Sequence, residues 1–134
     1  MKKGKLQFTS HTRNLAMVRN EVRKFAELCQ FPQKQCLLVV LGVDEACTNI
    51  IRYAYALRDD QPITLSMERL RDCIRIRLRD YGTQRSVRVG EISPGQRVKP
   101  GGLGLHLIRA AFDRVNYILK ARGTELVLTK NLEM

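Results

Sequence analysis

The stretch DEACTNIIRYAY, residues 44–55, combines a helical pattern with polar side chains suited to chemistry. Glu45 and Asn49 lie four residues apart, which on an α-helix places both side chains on one face, about one turn apart. Apolar residues recur at helical steps through and before this stretch, at Cys36, Val40, Val43, Cys47, Ile50 and Ala54. We therefore predict one long helix over residues 33–57, with Glu45 and Asn49 roughly opposite its apolar stripe.

The residues before this helix predict one strand and a second helix. Lys5 to Thr9 alternates polar and apolar side chains, as a short strand does. Ser10 follows as the expected N-cap of an amphipathic helix. The apolar spacing of that helix ends before Phe31-Pro32, because a residue that precedes proline disfavours the helical conformation.

The second half of the chain predicts two pairs of strands around a loop and a short helix. Residues 63–68 and 74–79 alternate and form a predicted hairpin, with the arginines of the second strand facing solvent. Residues 115–119 and 126–128 form a closing pair around Arg122-Gly123, after a third helix near residues 105–112. The element order predicts an α+β fold, a two-layer sandwich with a mixed, mostly antiparallel five-stranded sheet and three helices on one face.

Length and composition restrict the class of protein. A chain of 134 residues predicts one domain, residues 1–134. No apolar run is long enough for a membrane span, and no signal-peptide stretch follows the basic N-terminus, so we expect a cytoplasmic protein without a membrane partner. The four cysteines form no Cys-x-x-Cys pair, so a zinc site is not expected.

The charge predicts an acidic partner. The 24 basic and 13 acidic residues give a net charge of +11, which favours a phosphorylated ligand, a nucleic acid or an acidic protein surface. The chain has no Trp, and its basic residues are not interleaved with aromatic ones, so we rank direct nucleic-acid binding behind the other two.

Three groups of residues are candidates for a site that handles nucleotides. Glu45 is a possible general base, and Asn49 offers the neutral oxygen that Mg²⁺ accepts beside substrate phosphates. Asp80 points to the helix-covered face at a strand end, where a purine amino group is one suitable donor. The glycine-rich segment GGLGL, residues 101–105, precedes a helix whose first amides can hold a phosphate. Taken singly, each has a plain alternative, namely a polar helix face, a loop-capping aspartate and an ordinary helix entry.

Taken together and in this order, these motifs resemble the histidine-kinase-like ATPase superfamily, most strongly its anti-sigma-factor serine-protein kinases. The resemblance rests on four segments, DEACTNIIRYAY (44–55), DYG (80–82), GGLGLHLI (101–108) and GTEL (123–126). It covers essentially the whole chain and implies a Bergerat-type sandwich that binds ATP or ADP with Mg²⁺.

The resemblance also implies roles for single residues. Glu45 would be the catalytic base, and Asn49 would bind both the nucleotide and Mg²⁺. Asp80 would bind the adenine amino group with Gly82 beside it, and Thr124 would contact the adenine side. The phosphate end would be lined by Gly102, Leu103, Gly104 and Leu105, and residues 83–100 would form the ATP lid.

The implied activity is that of a partner switch. Relatives bind a sigma factor as a homodimer and phosphorylate a serine on an anti-anti-sigma factor of the STAS type. One departure is that TQRSVR, residues 83–88, follows the DYG motif where relatives often carry a Phe-Asp-Pro-like segment. That departure motivates an alternative, a nucleotide-dependent binding module with weak catalysis. A basic nucleic-acid-binding domain that uses its arginine-rich sheet face is the third reading.

Overall fold

The structure is a computed structural model that describes residues 2–82, 97–98 and 106–132. Its strands and helices follow in the order β1 (Lys3–Thr9), α1 (Leu15–Leu28), α2 (Gln33–Asn49), β2 (Pro62–Arg69), β3 (Cys73–Asp80), β4 (Arg97–Val98), α3 (His106–Ala111), β5 (Arg114–Leu119) and β6 (Thr124–Asn131). A 3₁₀ turn, Thr12–Asn14, precedes α1, and a π-helical turn, Ile50–Ala54, extends α2.

The strands form one sheet in the order β1-β2-β3-β6-β5-β4. Every pairing among the described strands is antiparallel. The predicted α+β sandwich is confirmed, with five long strands and the two-residue strand β4 added at the edge. No parallel pair occurs among the described strands, so the described sheet is simpler than the mixed one that we predicted. Strand β4 falls inside the predicted lid, whose other residues lie outside the described part of the chain.

The helices cover one face of the sheet, and the core lies between the two layers. Helix α2 packs against α1 on one side and α3 on the other. The core side chains of β2 and β3 are those predicted from alternation, Ile63, Leu65, Met67, Ile74, Ile76 and Leu78, and all six are buried. The arginines of β3 lie on the opposite face, as expected.

The start of α1 differs from the prediction. Ser10 is buried and does not cap a helix, since its hydroxyl donates to the carbonyl of Arg58 and accepts the N–H of Gln61 at 3.1 Å. The chain turns first through the 3₁₀ segment, which His11 caps by accepting the N–H of Arg13 at 3.0 Å. Ser10 therefore joins the end of β1 to the loop before β2.

Helix α2 confirms the long helix but corrects the environment of one residue. The predicted apolar stripe is buried throughout. Asn49, which the sequence placed opposite that stripe, is only 3% exposed. Helix α2 is contacted by both α1 and α3, so a residue away from its apolar stripe is not necessarily exposed. Within residues 2–82, 97–98 and 106–132, no helix is both long and apolar enough to cross a bilayer.

Candidate functional site

Asp80 is a charged residue in the buried layer between sheet and helices. It continues the inward parity of Ile76 and Leu78 at the end of β3 and is 1% exposed. Its carboxylate accepts the backbone N–H of Gly82 at 3.1 Å, so the chain folds back onto the side chain directly after the strand. A carboxylate at this depth is costly unless donors surround it, and the turn provides one of them.

Position 82 requires glycine because its backbone packs closely against Ala54, the last residue of the π-helical turn that follows α2. A Cβ at this position would lie 2.3 Å from the carbonyl oxygen of Ala54. Tyr55, the next residue after the π-helical turn, is buried; its hydroxyl accepts the N–H of Tyr81 at 2.8 Å and donates to the carbonyl of Pro62. Burial raises the pKa of Tyr55, so the phenol keeps its proton. Two contacts thus hold the DYG turn against the helix that carries Glu45 and Asn49.

Gly123 and Thr124 complete the surroundings of Asp80 from β6. Gly123 has a φ of +79°, and a Cβ there would lie 2.0 Å from the carbonyl oxygen of Asp80. Thr124 is the register partner of Asp80 across the sheet and is 1% exposed. Its Oγ1 is buried without a hydrogen-bond partner among the described residues. A buried carboxylate therefore lies beside a buried hydroxyl whose hydrogen-bonding capacity the described protein groups do not use.

Glu45 and Asn49 share α2, one turn apart, with different exposure. Glu45 is half-buried and Asn49 is buried at the last residue of the helix. Burial, and then the nearby charge of Glu45, raises the pKa of Tyr117 on β5 above its ordinary value. Glu45 therefore lies above the inner face of β5, and its partial exposure leaves the carboxylate able to meet a group from solvent. An adjacent ion pair, Arg19 to Asp44 at 3.0 Å, ties α1 to α2 beside it.

The structure brings together some of the predicted site residues. Asp80, Gly82 and Thr124 meet at one end of the sheet, and Asn49 lies five residues before Ala54, against which Gly82 packs. The predicted phosphate-end residues, Gly102, Leu103, Gly104 and Leu105, lie outside the described residues. Helix α3 packs closely on α2 at Gly42, where a Cβ would lie 2.8 Å from the Cβ of Ala111.

The donor set restricts which metal the described residues can hold. No group of three or more His, Cys, Asp or Glu side chains suited to a metal occurs in the described part of the chain. A protein-only metal cage is therefore not available there. An amide oxygen such as that of Asn49 suits Mg²⁺, which keeps waters and phosphate oxygens as its other ligands.

Sequence reasoning missed two features that position the site. The π-helical turn at residues 50–54 and the double role of the Tyr55 hydroxyl were not predicted. The sequence carried no signal for the turn, since Ile50, Ile51, Ala54 and Tyr55 fall on one side of an ordinary α-helix. Single-turn π segments inside α-helices are frequent at functional sites.

Comparison with known proteins agrees with this geometry. The family model described as a histidine kinase-like ATPase domain matches residues 8–130. The serine-protein kinase RsbW of Listeria monocytogenes (strain HCC23) is 33% identical over 98 residues, which cover 67% of this chain and 62% of that protein. The serine-protein kinase RsbW of Bacillus cereus is 30% identical over 101 residues, covering 69% and 62%. The chain thus spans about 62% of the length of these curated relatives.

A solved structure has the same fold. The crystal structure of the RsbU and RsbW domains of Rv1364c from Mycobacterium tuberculosis superposes with a TM-score of 0.70 over 97% of this chain and 32% of that chain. At 16% identity this likeness concerns the fold alone. The match of the family model over residues 8–130, together with the sandwich and its buried strand-end aspartate, shows that the chain belongs to the histidine kinase-like ATPase domain family.

Proposed function

We propose that this chain is an ATP- and Mg²⁺-binding serine-protein kinase that acts as a partner switch. It would sequester a sigma factor, as a homodimer, and phosphorylate an anti-anti-sigma factor of the STAS type on serine. The observation that carries the proposal is the buried pair of Asp80 and Thr124, because a carboxylate beside a hydroxyl that has no partner among the described residues fits the polar edge of a purine. The names of the RsbW relatives support the kinase class.

In this proposal each residue has one task. Asp80 accepts the adenine amino group, Gly82 allows the close backbone approach, and Thr124 contacts the base directly or through a water. Asn49 provides an oxygen to Mg²⁺ and to the nucleotide, and Gly102, Leu103, Gly104 and Leu105 line the phosphate end beneath a lid formed by residues 83–100. ATP supplies the transferable phosphoryl group, and Mg²⁺ neutralises its charge.

Glu45 is proposed as the catalytic base. Glu45 is only partly buried, so its carboxylate can accept the proton of a serine hydroxyl presented from solvent, whereas Asp80 is too deeply buried for that task. The proposal also places the protein in the cytoplasm, where ATP and a sigma factor are both available. The alternative, a nucleotide-dependent binding module with weak catalysis, retains Asp80, Thr124 and Asn49 but gives Glu45 no proton to accept.

The test combines calorimetry with a phosphotransfer assay. Purified protein is mixed with labelled ATP, Mg²⁺ and candidate antagonist domains. We expect label on a serine, loss of transfer but retention of ATP binding in Glu45→Gln, and loss of binding in Asp80→Asn. Glu27→Gln, on the exposed side of α1, is the matched control and should behave as wild type.

Two outcomes would contradict the proposal in different ways. No uptake of ATP or ADP with Mg²⁺ present would refute the nucleotide site itself. Binding without transfer to any cognate antagonist, unchanged by Glu45→Gln, would select the binding module instead.

A further inference from the structure

The face of the sheet that points away from the helices carries a concentrated positive charge. We call it the open face. Its described side chains include seven basic and two acidic ones, Lys3, Lys5, Arg75, Arg77, Arg79, Arg114 and Lys120 against Glu68 and Glu125. The alternation of β3 explains the concentration, since Arg75, Arg77 and Arg79 all fall on one side while Ile74, Ile76, Leu78 and Asp80 fall on the other.

Little of this charge is neutralised within the described protein. Glu125 contacts Arg77 at 3.3 Å and Lys120 at 3.9 Å. Among the described residues, no ion pair involves the remaining five cations of the open face, Lys3, Lys5, Arg75, Arg79 and Arg114. Clustered like charges raise the local potential and attract an anionic partner.

The open face is also shaped as a trough. Two adjoining cavities of about 500 and 320 Å³ share Lys5, Ser66 and Arg77. The floor is β2, whose outward residues are Thr64 and Ser66, which are small and carry hydroxyls, and Glu68, which lines the larger cavity between Lys3 and Arg75. The walls are lysines of β1 and arginines of β3, which are two strand spacings apart, or about 9–10 Å. Along the strands, the basic positions extend over about 13 Å, from Arg75 to Arg79.

These dimensions select one kind of ligand. The walls present cations at every second residue, and the same two-residue repeat, about 6.6–6.8 Å, separates side chains on one side of any extended peptide. We propose that the Lys–Arg trough, formed by Lys3, Lys5, Arg75, Arg77 and Arg79 over β2, binds an extended acidic segment of a protein partner with Asp or Glu at alternate positions.

Nucleic acid fits the trough less well. Single strands are held by bases stacking on exposed aromatic rings. Tyr81 is the aromatic residue among the described residues that line the trough. The guanidinium of Arg79 already lies over its ring, 4.2 Å from the ring centroid. A duplex is broader than the trough, since its major groove alone is about 12 Å wide.

The trough is separate from the candidate nucleotide site. Asp80 and Thr124 point to the helix layer, whereas the trough lies on the other side of the sheet. A partner can therefore occupy the trough whether or not the nucleotide site is filled, and the inference does not depend on the proposed kinase activity.

The experiment uses labelled peptides and the whole chain. The probe is a peptide of about ten residues that alternates Asp and Ser, which matches the repeat of the walls. A peptide of the same composition with its aspartates in one block, and an oligothymidylate of similar length, are compared with it by fluorescence anisotropy at about 50 and about 200 mM salt. The trough variant is Lys5→Glu with Arg75→Glu. The matched control, Arg23→Glu with Lys34→Glu, makes the same charge change on exposed residues of the helix layer.

We expect the alternating peptide to bind more tightly than the block peptide and the oligothymidylate. The trough variant should weaken its binding by roughly tenfold or more, and the control should change it by less than about twofold. Equal weakening in both variants would overturn the proposal, because it would show attraction to net charge alone. Tighter binding of the oligothymidylate, or no peptide binding at the lower salt, would also overturn it.

A second variant covers the case in which charge reversal disturbs folding. Lys3→Gln, Lys5→Gln and Arg75→Gln together remove charge without adding acid, and far-UV circular dichroism checks that the variant is folded. The same loss of peptide binding is expected, and wild-type affinity in this folded variant would contradict the proposal.

Discussion

Replacing Gly123 with alanine tests how tightly the turn before β6 packs against the end of β3. Two costs are expected at this position. The φ of +79° lies in the left-handed region, which costs an L-residue about 1–2 kcal/mol relative to glycine. The new Cβ would also lie 2.0 Å from the carbonyl oxygen of Asp80 and 2.7 Å from the Cα of Tyr81. Both are backbone atoms that cannot rotate away, and overpacking of this kind costs about 1–3 kcal/mol.

The net change in the free energy of unfolding follows from these costs and one offset. Alanine restricts the unfolded chain more than glycine does, which returns about 0.4–1 kcal/mol. We therefore expect Gly123→Ala to lower the free energy of unfolding by about 1–4.6 kcal/mol. With an unfolding entropy of about 2.1 cal/mol/K per residue, the 134-residue chain should melt about 4–16 °C lower.

The assay is urea and thermal unfolding followed by far-UV circular dichroism, with two companion variants. Gly4→Ala makes the same change in the same sheet, but its Cβ would meet only the flexible Met67 methyl at 3.1 Å, so little effect is expected. Gly123→Asn separates the two costs, because asparagine tolerates the left-handed region but still brings a Cβ. Gly123→Asn should therefore still lower the free energy of unfolding by a large amount. A Gly123→Ala variant that is no less stable than Gly4→Ala would refute the reasoning. Wild-type stability in Gly123→Asn would show that the steric cost of the Cβ is absent.

Three further predictions concern other parts of the molecule. Gln30, two residues after the end of α1, has a φ of 65°, so Gln30→Gly should raise the free energy of unfolding by about 0.5–1 kcal/mol, measured as a higher urea midpoint. Burial raises the pKa of Tyr117, so the folded protein keeps a proton that the unfolded chain releases above about pH 10. Stability should therefore be fully present below that pH and fall as the pH rises further, and Tyr117→Phe should make the fall in urea midpoint shallower. Burial raises the pKa of the Cys47 thiol to about 12, so the folded protein presents almost no reactive thiolate at this residue. A thiol reagent should therefore label Cys47 no faster than the protein unfolds, and mass spectrometry measures the rate of labelling.

The sequence predicted the elements whose periodicity is regular. Alternation in β2 and β3 gave the correct inward side chains, and the same parity correctly buried Asp80. This succeeded because a strand has only two faces, so the apolar residues also fix the orientation of the polar one. The helix stripe from Cys36 to Ala54 succeeded for the corresponding reason, with a period of 3.6.

Periodicity failed where tertiary contacts decide the environment. Asn49 lies opposite the apolar stripe, yet it is buried, and the period of its own helix contains no information about its neighbours in the fold. Ser10 has the sequence context of an N-cap, but a loop 48 to 51 residues away engages its hydroxyl. The π-helical turn depends on packing at residues 50–55, which a search for a single helical period does not detect.

The alternation of β3 places its arginines on one face of the sheet and Asp80 on the other, a separation that the composition of the chain does not show. A net charge of +11 would by itself indicate cations around a bound phosphate. Yet the three arginines of β3 face away from the layer that contains Asp80, and Gly82, Gly123 and Thr124 lie against Asp80. The arginines of β3 therefore do not contact a ligand held on the inner side. The same charge lies on the outer side of the sheet, where it is available to an anionic partner.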